Sequence, residues 1–270
     1  MAIMNLLVSY NGSPASDAAL RYAAELAKGR GAQVTALLAH STHEVIDSSS
    51  RWIPAQARAL LTQANADIVA GIAAQFEALA QELALGDALR FREQAGRVDV
   101  TLAEAARCYD MIIVGRHMDA DDAHVALHPD RIALLSGRPV IVVPEGYRAD
   151  ADHSHAALAW DGSRSAARAL SDSLRLLEAE GKVSVISFGT PVGGIADLLQ
   201  HLRLHGVSPV HEDFPESHAV AETLLAYCDR HDPSLLVMGA YEHSKFREDF
   251  LGGDTAKVLR DIRIPVLLSH

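Results

Sequence analysis

The sequence predicts an α/β protein made of two tandem repeats, each a five-stranded parallel sheet flanked by helices. Three observations predict it: a frame of strand, turn and helix that occurs twice, strands written as unbroken apolar runs, and a Pro-led apolar strand closing each half. The first frame is Leu6-Leu7-Val8-Ser9-Tyr10-Asn11-Gly12-Ser13, followed by Ala15 and Ala18-Ala19-Leu20. The second is Ala157-Leu158-Ala159-Trp160-Asp161-Gly162-Ser163, followed by Ala166-Ala167 and Ala169-Leu170. Self-similarity at this spacing marks a duplicated structural unit. Unbroken apolar strands imply burial on both faces, and therefore a parallel sheet covered by helices on either side.

Taken in order, the run Met1-Ala2-Ile3-Met4-Asn5-Leu6-Leu7 has no basic leader and is interrupted by Asn5, so it reads as a strand and not as a signal peptide. Gly12-Ser13 breaks the strand, and the Ser13 hydroxyl suits a helix N-cap. Residues 53–85 form a long Ala-rich helix whose stripe of Leu60, Leu61, Ile68, Ile72, Phe76 and Leu79 reads as packing surface, part of it available to the other repeat. Asp110-Met111-Ile112-Ile113-Val114-Gly115 is the next clear strand, and Arg138-Pro139-Val140-Ile141-Val142-Val143 closes a first domain at residues 1–145. The polar segment 146–153 is the linker. In the second domain, residues 153–270, Ser163 again suits a cap, a shorter helix lies near 195–204, and Ser234-Leu235-Leu236-Val237-Met238-Gly239 matches the strand ending in Gly115. A helix from about residue 254 to 262 leads to the closing strand Ile264-Pro265-Val266-Leu267-Leu268. The intervals Gly115 to Pro139 and Gly239 to Pro265 differ by only two residues, which favours real duplication. Helix length on a sheet face can change without disturbing strands, so the longer first-half helix is tolerable.

Composition narrows the function classes. With 49% hydrophobic residues in 270, a core is assured and disorder is excluded. Aromatics at 5% against abundant Ala, Leu and Val suit helices on aliphatic strands better than a β-sandwich. A formal charge of -11 with no basic run argues against nucleic acid and anionic lipid, and no apolar run approaches a membrane span. Cys108 and Cys228 lie far apart in apolar helical stretches and read as buried thiols in a reducing, cytoplasmic setting.

The tail carries the most specific pattern: Gly239-Ala240-Tyr241-Glu242, a polar loop, then Gly252-Gly253-Asp254-Thr255 opening a helix. Gly239 lets a backbone turn close to a ligand, and the unpaired N–H groups at the helix start after Gly252-Gly253 favour an anion. Asp161 follows the first strand of the same half, on the carboxyl edge where open α/β sheets bind ligands.

These residues resemble tandem universal stress proteins, most sharply in Ala159-Trp160-Asp161-Gly162-Ser163 and in residues 237–268. The resemblance covers nearly the whole chain and implies a Rossmann-like fold of the adenine nucleotide α-hydrolase kind, a regulatory role in the stress response, and an adenine nucleotide such as ATP, with Mg2+ as a companion ion. The family's loop is Gly, two residues, Gly, nine residues, Gly, then Ser or Thr. Here those places hold Gly239, Glu242, Gly252 and Gly253, with Asp254 and Thr255 beside them. The resemblance assigns Asp161 to the adenine end, with Ala159, Trp160 and Phe188 near it. Glu242 is a departure: a carboxylate about 4 Å from a phosphate costs on the order of 1 kcal/mol in water and about 4 kcal/mol at a half-buried site. Two compensations stay open, Lys245 and Arg247 in the same loop, or Glu242 turned outward to a metal held by the phosphates. The first half has Arg116, His117 and Met118 after Gly115, His128 and Pro129 where the later glycine and hydroxyl belong, and Asn11 in place of the acid. Proline removes an N–H from any phosphate cradle, so this half is expected to be an empty structural partner.

Other signals have plainer readings. Ser13 and Ser163 have no identifiable base and read as caps, not nucleophiles. His201 and His205 are four apart on a helix, yet lack an acidic or cysteine partner at metal-site spacing and read as solvent-facing. Gly189, Gly193 and Gly194 match no phosphate-loop motif and read as a strand-to-helix turn. No base is positioned for a water nucleophile, so binding is expected and turnover, at most a slow ATP hydrolysis, is not. Three readings follow: an ATP-binding regulator, a non-nucleotide interaction module of the same fold, or a weak hydrolase. The closing strands 139–143 and 265–268 are expected to meet, making one chain a pseudo-dimer. Further homodimerisation of the whole chain stays open.

Overall fold

The computed structural model describes residues 3–41, 54–116, 128–148, 153–178, 180–189, 194–215, 219–240 and 253–270. Among the described residues the first half has five strands and four α-helices: β1 (Asn5–Ser9), α1 (Pro14–Arg30), β2 (Gln33–His40), α2 (Ala55–Leu83), β3 (Leu89–Ala95), α3 (Val98–Ala106), β4 (Met111–Gly115), α4 (Pro129–Ser136) and β5 (Val140–Val143). The second half repeats the series: β6 (His155–Ala159), α5 (Arg164–Ser173), β7 (Lys182–Phe188), α6 (Ile195–Leu204), β8 (Ser208–Phe214), α7 (Val220–His231), β9 (Leu235–Gly239), α8 (Gly253–Asp261) and β10 (Val266–Ser269).

All ten strands lie in one sheet, ordered β3-β2-β1-β4-β5-β10-β9-β6-β7-β8. Read outward from the middle, each half has the same order, and within each half every pairing is parallel. The closing strands meet as expected, antiparallel, with Val266 opposite Val142, Leu267 opposite Ile141 and Leu268 opposite Val140. Each would otherwise be an open, fully apolar edge, so their pairing removes two aggregation-prone borders at once.

Alternate residues of the central strands supply two cores. Leu6, Val8, Ile113, Leu158, Val185 and Val237 face α1, α2, α5 and α6, while Leu7, Ile112, Val114, Ile186, Leu236 and Leu268 face α3, α4, α7 and α8. Burial on both faces is what the unbroken apolar runs encode. The outermost strands, β3 and β8, break that rule. Their side chains alternate between exposed and half-buried, as in Leu89-Arg90-Phe91-Arg92, because only one neighbour strand covers them and charge discourages edge pairing.

The helix ends follow the local chemistry. The Ser13 hydroxyl accepts from the Ser16 amide and the Ser163 hydroxyl from the Ala166 amide at 3.1 Å, so both serines are caps. Gly31 and Gly137 end α1 and α4 in the left-handed region. Three sequence readings need correction. Cys108 is exposed just past the end of α3, whereas Cys228 is buried and its thiol is pushed up to about 12 by burial and by Asp229. The stripe on α2 splits: Phe76 and Leu79 are buried and Ile72 packs beside them, but Leu60, Leu61 and Ile68 are exposed. His153, read as part of a polar linker, is fully buried, its Nε2 2.9 Å from the Tyr22 hydroxyl. Trp52 lies outside the described residues.

The halves are also tied by side chains. Arg175 meets Asp110 at 2.8 Å, Arg30 donates to the Leu176 carbonyl at 2.8 Å, and Arg116 donates to the Ile262 carbonyl.

Candidate functional site

In each half the chain leaves its first strand to one side and later returns a strand on the other. The switch falls between β1 and β4 in the first half and between β6 and β9 in the second, and at such points the helices diverge and leave a crevice at the carboxyl ends. In the second half Leu158 of β6 lies opposite Val237 of β9, so Asp161 and Gly239 emerge past the same edge. Helix α8 begins at Gly253 on the face shared with Ala159 and Phe188, and its Val258, with Ile262 just past its end, packs into the same core as those two residues.

The expected residues sort as follows. Ala159 is half-buried on the α7 and α8 face. Phe188 shares that face and stacks on Phe214, with ring centroids 5.8 Å apart and planes at 29°. Sequence reading missed Phe214; the signal was an aromatic ending an alternating polar strand, easily passed over because β8 has no apolar run. Trp160 goes the other way: its amide donates to the Ile186 carbonyl at 2.8 Å, and its indole packs against the α5 and α6 core, with Nε1 buried and unpartnered among the described residues. Asp161 is exposed and its Oδ1 accepts from the Ser163 amide at 2.9 Å. Asn11 makes the same bond to Ser13 at 3.1 Å, so this position shapes the turn in both halves whatever else it does. Asp254 and the half-buried Thr255 stand in the first turn of α8. Glu242 and Gly252, with Lys245 and Arg247, lie outside the described residues.

Gly239 has a reason to be glycine that involves no ligand. A Cβ there would stand 2.5 Å from the Ser165 hydroxyl oxygen and 2.7 Å from the Ala166 nitrogen, where the start of α5 crosses the end of β9. Gly115 is held identically: its Cβ would meet the Ala15 carbonyl oxygen at 2.3 Å and the Ser16 nitrogen at 2.8 Å. The glycine pair records close helix-on-strand packing at both switch points.

What differs between the halves is the helix behind the loop. In the first half, α4 starts with Pro129, and the preceding His128 amide donates to the Asp99 carboxylate at 3.4 Å. Burial pushes the Asp99 carboxyl above its ordinary range, against the His128 amide and the charges of His128 and Arg131 that pull it down. An acid of the chain itself thus meets the backbone N–H just before α4. At α8 no proline intervenes.

A polar cluster lies beside this edge. The buried Ser187 hydroxyl is 2.8 Å from His211 Nε2 and 3.2 Å from Asp213 Oδ1. The hydroxyl stands between imidazole and acid, so the acid does not orient the imidazole, as a nucleophilic triad requires. With His211 as the Nε2–H tautomer, the serine accepts from His211 and donates to Asp213. The cluster holds the ends of β7 and β8 together. His201 and His205 are exposed and meet edge-to-face with centroids 4.6 Å apart. Among the described residues no group of three metal-ligating side chains converges.

The model of the universal stress protein family matches residues 3–144, more than half of the chain. The chain belongs to the universal stress protein family. Among solved structures, a universal stress protein from Archaeoglobus fulgidus is similar over 98% of this chain and 95% of its own, at 16% identity and a TM-score of 0.72. A functionally unknown protein from Pseudomonas aeruginosa is similar over 99% and 92%, at 16% identity and a TM-score of 0.56. A universal stress protein solved in complex with cAMP matches 43% of this chain and 96% of its own, at 20% identity and a TM-score of 0.30. No curated protein matches the sequence. Among the described residues no helix is long and apolar enough to cross a membrane.

Proposed function

We propose that residues 153–270 are a second domain of the same family, that this half binds an adenine nucleotide at the carboxyl ends of β6, β7 and β9, and that the protein acts by carrying it, as a cytoplasmic regulator of the stress response. The observation that carries this reading is the asymmetry at the two helix starts. Helix α8 opens on Gly253 at a switch point with Asp161 beside it, while α4 opens on Pro129 with Asp99 already drawn to the His128 amide. An exposed carboxylate two residues beyond the end of β6 suits the amino and hydroxyl groups of a nucleoside, and the Phe188 and Phe214 pair offers an aromatic surface for a base. The start of α8 supplies N–H groups and partial positive charge for phosphate. ATP, with Mg2+ on its phosphates, is the form the second-half loop is read to take, and no step of hydrolysis is assigned to it.

Isothermal titration with ATP, ADP and AMP, with and without magnesium, tests the reading. One site per chain is expected, weakened about tenfold by Phe188→Ala, a loss of about 1.4 kcal/mol. Absence of heat with all three nucleotides sinks it.

A specific observation favours a second reading, an interaction module that binds no nucleotide. The glycine most diagnostic of the loop is demanded by packing in both halves, so it can persist without a ligand. Under that reading Glu242→Gly would create nucleotide affinity where the native chain has none.

A further inference from the structure

We propose that the floor of the second half, where β6 and β7 begin beneath the last turn of α7, is an acid-sensitive latch: a proton taken up by His155 loosens the end of α7 from the sheet, while α3 of the first half stays in place. His155 opens β6 and stands directly opposite Lys182, the first residue of β7. Alternation along the two strands turns both toward α7, since Ala157 and Ile186 lie in the core on that side. There His155 Nε2 is 3.0 Å from the hydroxyl of the fully buried Ser184. From α7 the buried Tyr227 comes down beside the same serine. Its ring is stacked on His231, with centroids 4.3 Å apart and planes at 24°. Three bases thus gather from three elements: His155 from β6, Lys182 from β7 and His231 from α7. Among the described residues the acid that faces His155 is Asp232, the C-cap of α7.

The first half is built differently at the same place. Asn5 opens β1 opposite Gln33, and the Asp110 amide donates to the Asn5 carbonyl as the Ser234 amide does to the His155 carbonyl. Where the first half sets an uncharged Asn5 and an acid paired with Arg175, the second sets a base and a serine. Histidine is the side chain that changes charge between about pH 5 and 8. A proton on His155 puts a new positive charge in a half-buried groove beside Lys182 and His231, and the ring relieves it by moving to water. Tyr227, packed over the same serine, then loses its floor. Burial, and after it the charges of Lys182 and His231, hold the His155 imidazole below its ordinary value against the pull of Asp232. The stability that the neutral ring contributes is therefore present above the unfolded value near 6.5 and is lost as pH falls through the lower folded value.

Proton NMR titration of the full chain, with each histidine ring assigned through its own backbone, should give His155 a midpoint below 6.5 that moves up in His231→Gln. Amide exchange at about pH 5 and about pH 7.5 tests the latch itself, using His155→Asn, which installs the first-half residue. At the acid pH the amides of residues 224–228 should be less protected in the native chain than in the variant, at the neutral pH equally protected, and those of α3 should not differ. A His155 midpoint at or above 6.5, equal protection of native chain and variant in acid, or α3 opening together with α7 overturns the proposal. Should His155→Asn fail to fold, the titration of the native chain and of His231→Gln, a change at an exposed site, decides alone.

Discussion

Gly115 and Gly239 each end a strand where the first turn of a helix crosses it, and an added methyl would lie under 3 Å from backbone atoms of that helix. Backbone cannot swing aside as a long side chain can, so Gly239→Ala should cost about 1–3 kcal/mol in urea unfolding. An alanine there that leaves stability unchanged would return this glycine to a ligand role. At the candidate site, residue-scale reasoning from sequence placed Asp161 and Phe188 at the carboxyl edge of the sheet, where β6 and β7 end. It could not place the Trp160 indole, because the side of a sheet a residue faces depends on strand register, and a turn residue just past the strand has none to read.

At the scale of elements, the long helix 55–83 was visible in its alanines, and the strands of the sheet centre in their unbroken apolar runs. Strands β3 and β8 were not visible, since an edge strand alternates and carries charge, and Arg90-Phe91-Arg92-Glu93 reads equally well as helix or loop. Helical periodicity located the stripe on α2, yet it could not say that the stripe's outer half lies beyond the body. Caps are local and were readable. The Ser163→Ala change removes the acceptor for the Ala166 amide at the start of α5, with an expected loss of about 1 kcal/mol in denaturant midpoint. Because α5 abuts β9 through Gly239, the same change should also loosen the switch point, seen as faster amide exchange at Ser165 and Ala166.

On the scale of the whole molecule, one sheet runs through both halves, sealed by β5 and β10 and by the Asp110–Arg175 pair. Burial alone would push the Asp110 carboxyl up, but Arg175 and the Met4 and Asn5 amides outweigh it and hold it below its ordinary value. A depressed carboxylate adds stability above its unfolded pKa, near 3.8, and that contribution fades as pH falls through the lower folded value. Asp110→Asn should therefore lower stability by about 1–2 kcal/mol at pH 7 and by less in strong acid. Calorimetry at the two pH values checks this. It should also show a single transition, as a shared sheet requires.

The sequence alone determined the class of fold, the strand-and-helix frame that occurs twice, the capped helix starts and the candidate edge, because these rest on local chemistry and on burial encoded in runs of residues. The tertiary structure decided which face each site residue serves, why the two glycines are fixed, that Asp99 meets the His128 amide at the head of α4, and that half of α2 stands clear of the core. Those depend on atoms distant in sequence meeting at a few ångströms, and spacing along a chain does not specify such meetings.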